Sequence, residues 1–195
     1  AAARLAAPGD TVLLAPAAAF AQTLDKIRKS GVITLGYIEG AAPFSFTDGN
    51  GEPQGYSVDL CRAVAEGVAA QLKRQGMKTR WVKLTIQNRI DAVRKKEVDL
   101  ECSTTTWTLS RQQLVDFSLV TFVDGGSLLV GAQSSAGRLQ DFGGKRIAVI
   151  RGTTTEKALR ATLGRHDVKA EVVTVEKRDE GLALLPHRID ASTDQ

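Results

Sequence analysis

The feature that most constrains this chain is a switch of hydrophobic period that repeats along its length. Short runs rich in β-branched residues alternate with stretches whose apolar residues recur every three or four positions. Val32-Ile33-Thr34-Leu35-Gly36-Tyr37 predicts a strand, and Val58, Cys61, Val64, Ala65, Val68 and Leu72 predict an amphipathic helix over 57–74. Between them, Asp48-Gly49-Asn50-Gly51-Glu52-Pro53 carries the chemistry of a hairpin-like reversal. A strand over 80–84, a short helix around Ile90 and Val93, and a strand over 98–102 follow, then a Thr-rich loop from Ser103 to Thr106. A further strand is expected at Ser127-Leu128-Leu129-Val130-Gly131. The pattern then restarts, with strands over 145–150 and 170–175, helices over 156–163 and 179–185, and a last strand opening at Ile189-Asp190-Ala191.

Repeated strand–helix alternation predicts an α/β protein whose parallel sheets are covered by helices. The restart divides the chain into a leader over 1–21, a first lobe over 22–125 and a second lobe over 126–195, with a crossing strand near 121–130. The second lobe offers few elements for a sheet covered on both faces, so the chain reads as cut short at Gln195.

The first twenty-one residues are Ala-rich and end in Ala19-Phe20-Ala21, a pattern that signal peptidases cleave. Pro8, Gly9 and Asp10 interrupt the apolar stretch, which leaves a disordered start as the other reading. A helix beginning at Thr23 and closing at Gly31 is expected next. No later stretch reaches the length of a transmembrane helix. Export would put Cys61 and Cys102 in an oxidising compartment and make them a candidate disulfide, whereas in the cytosol two buried thiols are expected.

Composition excludes more than it identifies. The formal charge of +4 is spread over scattered Lys and Arg, with no basic stripe or aromatic platform for nucleic acid. The densest groups, Lys26/Arg28/Lys29 and Arg94/Lys95/Lys96, read as solvated helix faces. His166 and His187 have no paired nucleophile at informative spacing and read as helix-end residues. There is no phosphate loop, dinucleotide fingerprint or metal-ligand cluster, so no cofactor, metal or catalytic constellation is expected.

Two segments read as parts of a polar cleft. Thr104-Thr105-Thr106-Trp107-Thr108-Leu109-Ser110-Arg111 follows a strand C-terminus, where open α/β sheets place ligands. Its hydroxyls can surround a small solute, and Arg111 can grip a carboxylate bidentately. Arg151-Gly152-Thr153-Thr154-Thr155-Glu156 is a Gly turn into a helix start, suited to an anionic group. Thr153 and Glu156 also fit a capping box, and both roles can hold together.

The sequence resembles the periplasmic amino-acid-binding proteins of ABC importers, solute-binding protein family 3. The resemblance is carried by Ala42-Pro43-Phe44-Ser45-Phe46, Gly55-Tyr56-Ser57-Val58-Asp59-Leu60, Gln87-Asn88-Arg89-Ile90 and Val98-Asp99-Leu100-Glu101-Cys102. It continues through Val115-Asp116-Phe117-Ser118, Gly143-Gly144-Lys145, Gly152-Thr153-Thr154-Thr155-Glu156 and Glu180-Gly181-Leu182. The Gln-Asn-Arg and Glu-Cys-x-x-Thr-Thr segments resemble the glutamate/aspartate branch.

The resemblance implies a two-lobed Venus-flytrap fold and a monomeric periplasmic receptor that delivers an amino acid, glutamate, aspartate or an amide foremost, to a membrane permease. It implies that Arg111 binds the α-carboxylate with Thr106, Thr153 and Thr154, and that Asp194 pairs with the α-ammonium, helped by Thr104. Arg89 would lie near the ligand side chain. The chain departs from that branch at Ile38, where an Arg is usual, at Ile86 in place of a Ser, at Ser103 in place of a Gly and at Arg178 in place of a His. Two other classes share the fold: dehydratases, for which Glu101 or Glu39 could supply an acid/base group, and the sensing domain of a larger receptor.

Overall fold

A helix, α1 (Ala18–Ser30), leads into the first sheet of the structure, a computed structural model that describes residues 18–185 and 190–194. The leader expected over 1–21 therefore lies outside the described residues up to position 17. The helix itself starts at Ala18 rather than Thr23, because nothing between 18 and 23 is a helix breaker. It stops at Gly31, whose φ of 71° is the left-handed value a helix C-terminus needs.

The core of the first lobe is organised around β1 (Val32–Ile38), which is buried along nearly its whole length. The hairpin strands β2 (Phe46–Thr47) and β3 (Pro53–Gln54) flank the Gly-rich reversal, where the Asp48 carboxylate accepts from Asn50 N and Glu52 N at 2.8 and 2.9 Å. Then come α2 (Tyr56–Gln71), β4 (Lys78–Leu84), α3 (Arg89–Arg94) and β5 (Leu100–Glu101). The sheet order is β4-β1-β5, all parallel, with Val32 opposite Lys78 and Leu35 opposite Leu100.

Alternation along β1 explains how both faces are covered. Ile33 and Leu35 pack with Ile27 of α1 and Cys61 and Ala65 of α2. Ile38, on the other face, packs with Leu84, Ala92 and Val98. Gly36 shares that second face, and a Cβ there would sit 2.4 Å from Leu84 Cδ1, so any side chain at 36 would require the Leu84 side chain to move. Cys61 and Cys102 are joined in a disulfide that ties α2 to the chain just beyond β5.

The strand expected over 98–102 contributes only Leu100–Glu101 to the ladder. The Asp99 side chain accounts for the difference. It accepts from Thr34 N at 2.9 Å and from Lys26 Nζ at 2.8 Å, so a carboxylate takes the place of a ladder carbonyl and fastens α1 to the sheet.

After a single helical turn, α4 (Leu109–Gln112), the chain crosses to the second lobe without regular structure over 113–126. The crossing strand expected near 121–130 is confined to β6 (Ser127–Val130), since Asp124-Gly125-Gly126 has low strand propensity. The crossing is anchored at Phe122, whose ring meets Phe44 edge-on at 4.8 Å, and at Thr121 O, which accepts from the Tyr56 hydroxyl at 2.9 Å.

A 3-10 turn (Leu139–Phe142) precedes β7 (Arg146–Ile150), α5 (Thr154–Arg165), β8 (Glu171–Val175), α6 (Arg178–Leu184) and β9 (Ala191–Asp194). The second sheet has the order β6-β9-β7-β8, with β6 antiparallel to β9 and β7 parallel to both neighbours. It is more fully covered than the short element list led one to expect. Ile147 and Val149 pack on Leu159 and Leu163 of α5, while Ala148 on the opposite face lies 3.7 Å from the Cβ position of Gly181 in α6. Ile189 and His187 lie outside the described residues.

Candidate functional site

In both lobes the parallel strands end on the same side, and their C-terminal ends face one another across a cavity of about 400 Å³. Ile38, Arg89 and Thr104 line it from the first lobe, and Ile150, Thr153 and Arg178 from the second. This is where open α/β sheets bind ligands, beyond the carboxyl ends of the strands. A larger but more open depression, about 670 Å³, lies at the opposite end of β7 beside Lys145 and Asp190. Its walls include the end of the antiparallel β6 at Gly131 but, among the described residues, no parallel-strand C-terminus and no buried cation.

Arg89 is the most informative residue. It begins α3, is only 5% exposed, and its Nε has no hydrogen-bond partner among the described residues. Burial pulls its guanidinium below the ordinary arginine range, an effect that Glu101 opposes and Arg111 reinforces. A buried cation held so is costly unless an anion joins it.

Glu101 ends β5 and accepts a hydrogen bond from the Ser103 hydroxyl. Burial raises its carboxyl above the usual range, against the pull of Ser103, Arg89, Thr105 and Arg111.

Arg111 sits in α4, which Thr108 caps by accepting from Arg111 N at 3.2 Å. Its Nη1 donates to Thr106 O at 2.9 Å, and burial lowers the guanidinium while Glu101 supports its charge. The two guanidinium groups of Arg89 and Arg111 outnumber the single carboxyl of Glu101, so the first-lobe side of the cleft attracts an anion.

From the second lobe, Thr153 caps α5, its hydroxyl donating to Ile150 O at 2.8 Å and accepting from Glu156 N at 3.1 Å. Glu156 reaches back to Gly152 N at 2.8 Å, one residue earlier than the capping box expected from sequence. The Thr153 hydroxyl is thus committed to the cap, which leaves the first N–H groups of α5 as the donors on that side. The Thr106 and Thr154 hydroxyls meet across the cleft at 3.0 Å.

Arg89, Thr104 and Thr153 line one cavity; Thr106 and Thr154 form the adjoining contact between the lobes, with Arg111 bonded to Thr106 O on the first-lobe side. Asp194 is the last residue of β9, opposite Ser127, and its side chain lies outside the described residues. Two features of the cleft have no counterpart in the sequence reading. Gln87 Nε2 donates to Glu176 Oε2 across it at 2.7 Å, and Lys83 pairs with Glu39 at its mouth. Gln87 stood in a motif segment, but nothing local signals Glu176.

Among the described residues no helix is long and apolar enough to cross a membrane. The chain is 35% identical over 164 residues to an L-glutamate/L-aspartate-binding protein of Pseudomonas aeruginosa, covering 84% of this chain and 54% of that protein. A glutamate/aspartate import solute-binding protein of Salmonella typhimurium is 39% identical over 142 residues, 73% of this chain and 46% of that one. The chain spans about half the length of these curated relatives. Among solved structures, the ancestral amino-acid-binding protein AncCDT-1, a precursor of cyclohexadienyl dehydratase, superposes with a TM-score of 0.78 at 30% identity, over 88% of this chain and 73% of that one. A Brucella ovis periplasmic binding protein with glutathione bound gives 0.77 at 28% identity, over 88% and 54%. These neighbours share the two-lobed periplasmic-binding-protein fold. The model of the bacterial extracellular solute-binding proteins, family 3, matches residues 33–185, and the chain belongs to that family.

Proposed function

We propose that the chain is an extracytoplasmic, periplasmic receptor that captures a polar amino acid between its lobes and delivers it to the membrane permease of an ABC importer. Glutamate and aspartate are the foremost ligands, with their amides next. The observation that carries this reading is Arg89, a buried guanidinium whose Nε has no hydrogen-bond partner among the described residues, in the wall of the cleft and near enough to Arg111 to feel its charge. Charge-assisted bonds from such groups contribute about 1.5–3 kcal/mol each.

Arg111, with Thr106, Thr154 and the N–H groups at Thr153, takes the α-carboxylate, and Asp194 and Thr104 take the α-ammonium. Arg89 faces the ligand side chain. Ile38 and Ile86 line the same cavity, and on that wall Arg89 is the buried cation while Lys83 is paired with Glu39, so Arg89 is the group suited to select an acidic side chain. The names of the Pseudomonas and Salmonella relatives support this ligand class.

A thermal-shift screen of the common amino acids tests it. A ligand at 100 times its Kd stabilises by about 2.7 kcal/mol, which raises Tm by roughly 5–10 °C. The expected pattern is a shift with glutamate or aspartate that Arg111→Ala removes; no shift with any amino acid would oppose the reading.

A dehydratase reading draws on the raised Glu101 carboxyl beside the cleft and on the AncCDT-1 likeness. It requires turnover of a cyclohexadienyl substrate that Glu101→Gln abolishes, and the receptor reading expects none.

A further inference from the structure

We propose that Gln87 and Glu176 are positioning residues that latch the cleft shut, the Glu176 carboxylate of one lobe accepting the Gln87 amide N–H of the other.

Glu176 lies between β8 and α6 and is held on its own lobe from two directions. Arg151 Nε approaches its Oε1 at 3.4 Å, and its backbone N–H donates to Glu180 Oε2 at 2.9 Å. That leaves Oε2 directed across the cleft, where Gln87 Nε2 meets it at 2.7 Å. Gln87 is equally constrained. Its loop is closed by Thr85 N donating to Asn88 Oδ1 at 2.8 Å and by Asn88 N donating to Thr85 Oγ1 at 3.2 Å. The next residue after Asn88 is Arg89, whose N–H donates to Thr85 O at 3.1 Å.

The loop that carries the latch therefore also places the buried cation of the site. Both partners line the cavity, so the bond can form only when the two walls are together. An anion that draws Arg89 and the second lobe towards each other brings the latch within range, and the latch then opposes reopening. Closure is thereby made a property of side chains that need not touch the ligand.

The Glu176 side chain is 49% exposed, which discounts the bond to a few-fold effect. The Thr106–Thr154 contact and a long Arg178 Nη1 to Ala42 O contact at 3.4 Å remain when it is lost.

The test uses spin labels at Glu66→Cys on α2 and Arg165→Cys at the C-terminal end of α5, both exposed and absent from the cavity lining. The inter-lobe distance distribution is measured without ligand for the wild type, Glu176→Ala, Gln87→Glu and the swap Gln87→Glu/Glu176→Gln. The single variants are expected to move population to the open distance, Gln87→Glu most of all through carboxylate repulsion, and the swap to restore the closed one. Distributions for Glu176→Ala and Gln87→Glu that match the wild type would overturn the latch.

A second arm rests on the receptor reading: the dissociation rate of glutamate should rise about 3–10-fold in Glu176→Ala with the association rate unchanged. Unchanged dissociation would also count against the latch. The two ideas fail separately, since loss of all amino-acid binding with responsive distances removes the receptor reading alone.

Discussion

Arg89 is a residue whose energetic cost and use point in opposite directions. Its guanidinium is buried with Nε unpartnered among the described residues, an arrangement that costs stability in general, and the same features suit it to the anion-anchoring role proposed for it. Arg89→Met combined with Glu101→Gln, which removes the opposing carboxylate as well, is therefore expected to raise the stability of the ligand-free protein by about 1–2 kcal/mol while removing binding of acidic amino acids, measured by urea unfolding and ligand titration. A variant that loses stability and keeps its affinity would refute that account of the residue. Glu101 gives a pH signature. Its folded pKa is raised, so the folded state binds the proton more tightly than the unfolded chain, whose value is near 4.5. Its contribution is fully present below that value and is lost as pH rises through and above it. Glu101→Gln keeps the group neutral and should flatten the fall in stability on that alkaline side; an unchanged slope would mean that the carboxyl is not the source. Glu156 has the reverse sign, being depressed mainly by the Gly152 N–H, so its contribution is held above about pH 4.5 and lost as the pH falls.

At the scale of elements, the ends and the close approaches carry most of the information. Thr153→Ala should cost about 1 kcal/mol by uncapping α5, with Thr153→Ser largely retaining it, read as Tm of the ligand-free protein. No loss would place the hydroxyl's role elsewhere. Gly36→Ala forces a Cβ against Leu84 and should cost about 1–3 kcal/mol. The elements legible from sequence, β1, α2, β7 and α5, are those where period and punctuation agree, as with the apolar run that ends in Gly152 and Thr153. A turn as short as α4 cannot show a helical period, so the helix that carries Arg111 was not legible, and Arg111 was proposed from residue type and resemblance alone. The ladder at β5 was overestimated because hydrophobic pattern does not reveal that Asp99 caps Thr34. The bond from Gln87 to Glu176 joins residues 89 apart and depends on how two lobes meet, which no local pattern encodes.

For the whole molecule, two sheets turn their strand C-termini towards one cavity, and the proposed capture of an amino acid there rests on closure of the two walls. The Cys61–Cys102 bond supports this from behind, since Cys102 directly precedes Ser103 and the Thr104–Thr106 segment. Reduction should lower stability by about 2–4 kcal/mol and weaken ligand binding, checked by melting with and without a reductant. An unchanged melt under full reduction would contradict that role. The central claim is that the cation pair Arg89 and Arg111 serves to capture an amino acid. Isothermal titration of glutamate, aspartate, glutamine and asparagine into the folded chain addresses it most directly. The expected result is one saturable site, tighter for the acids than for their amides, abolished by Arg111→Ala and stripped of its acid preference by Arg89→Met. Equal affinities for acid and amide that Arg89→Met leaves untouched, or no binding heat from a chain that melts cooperatively, would contradict it.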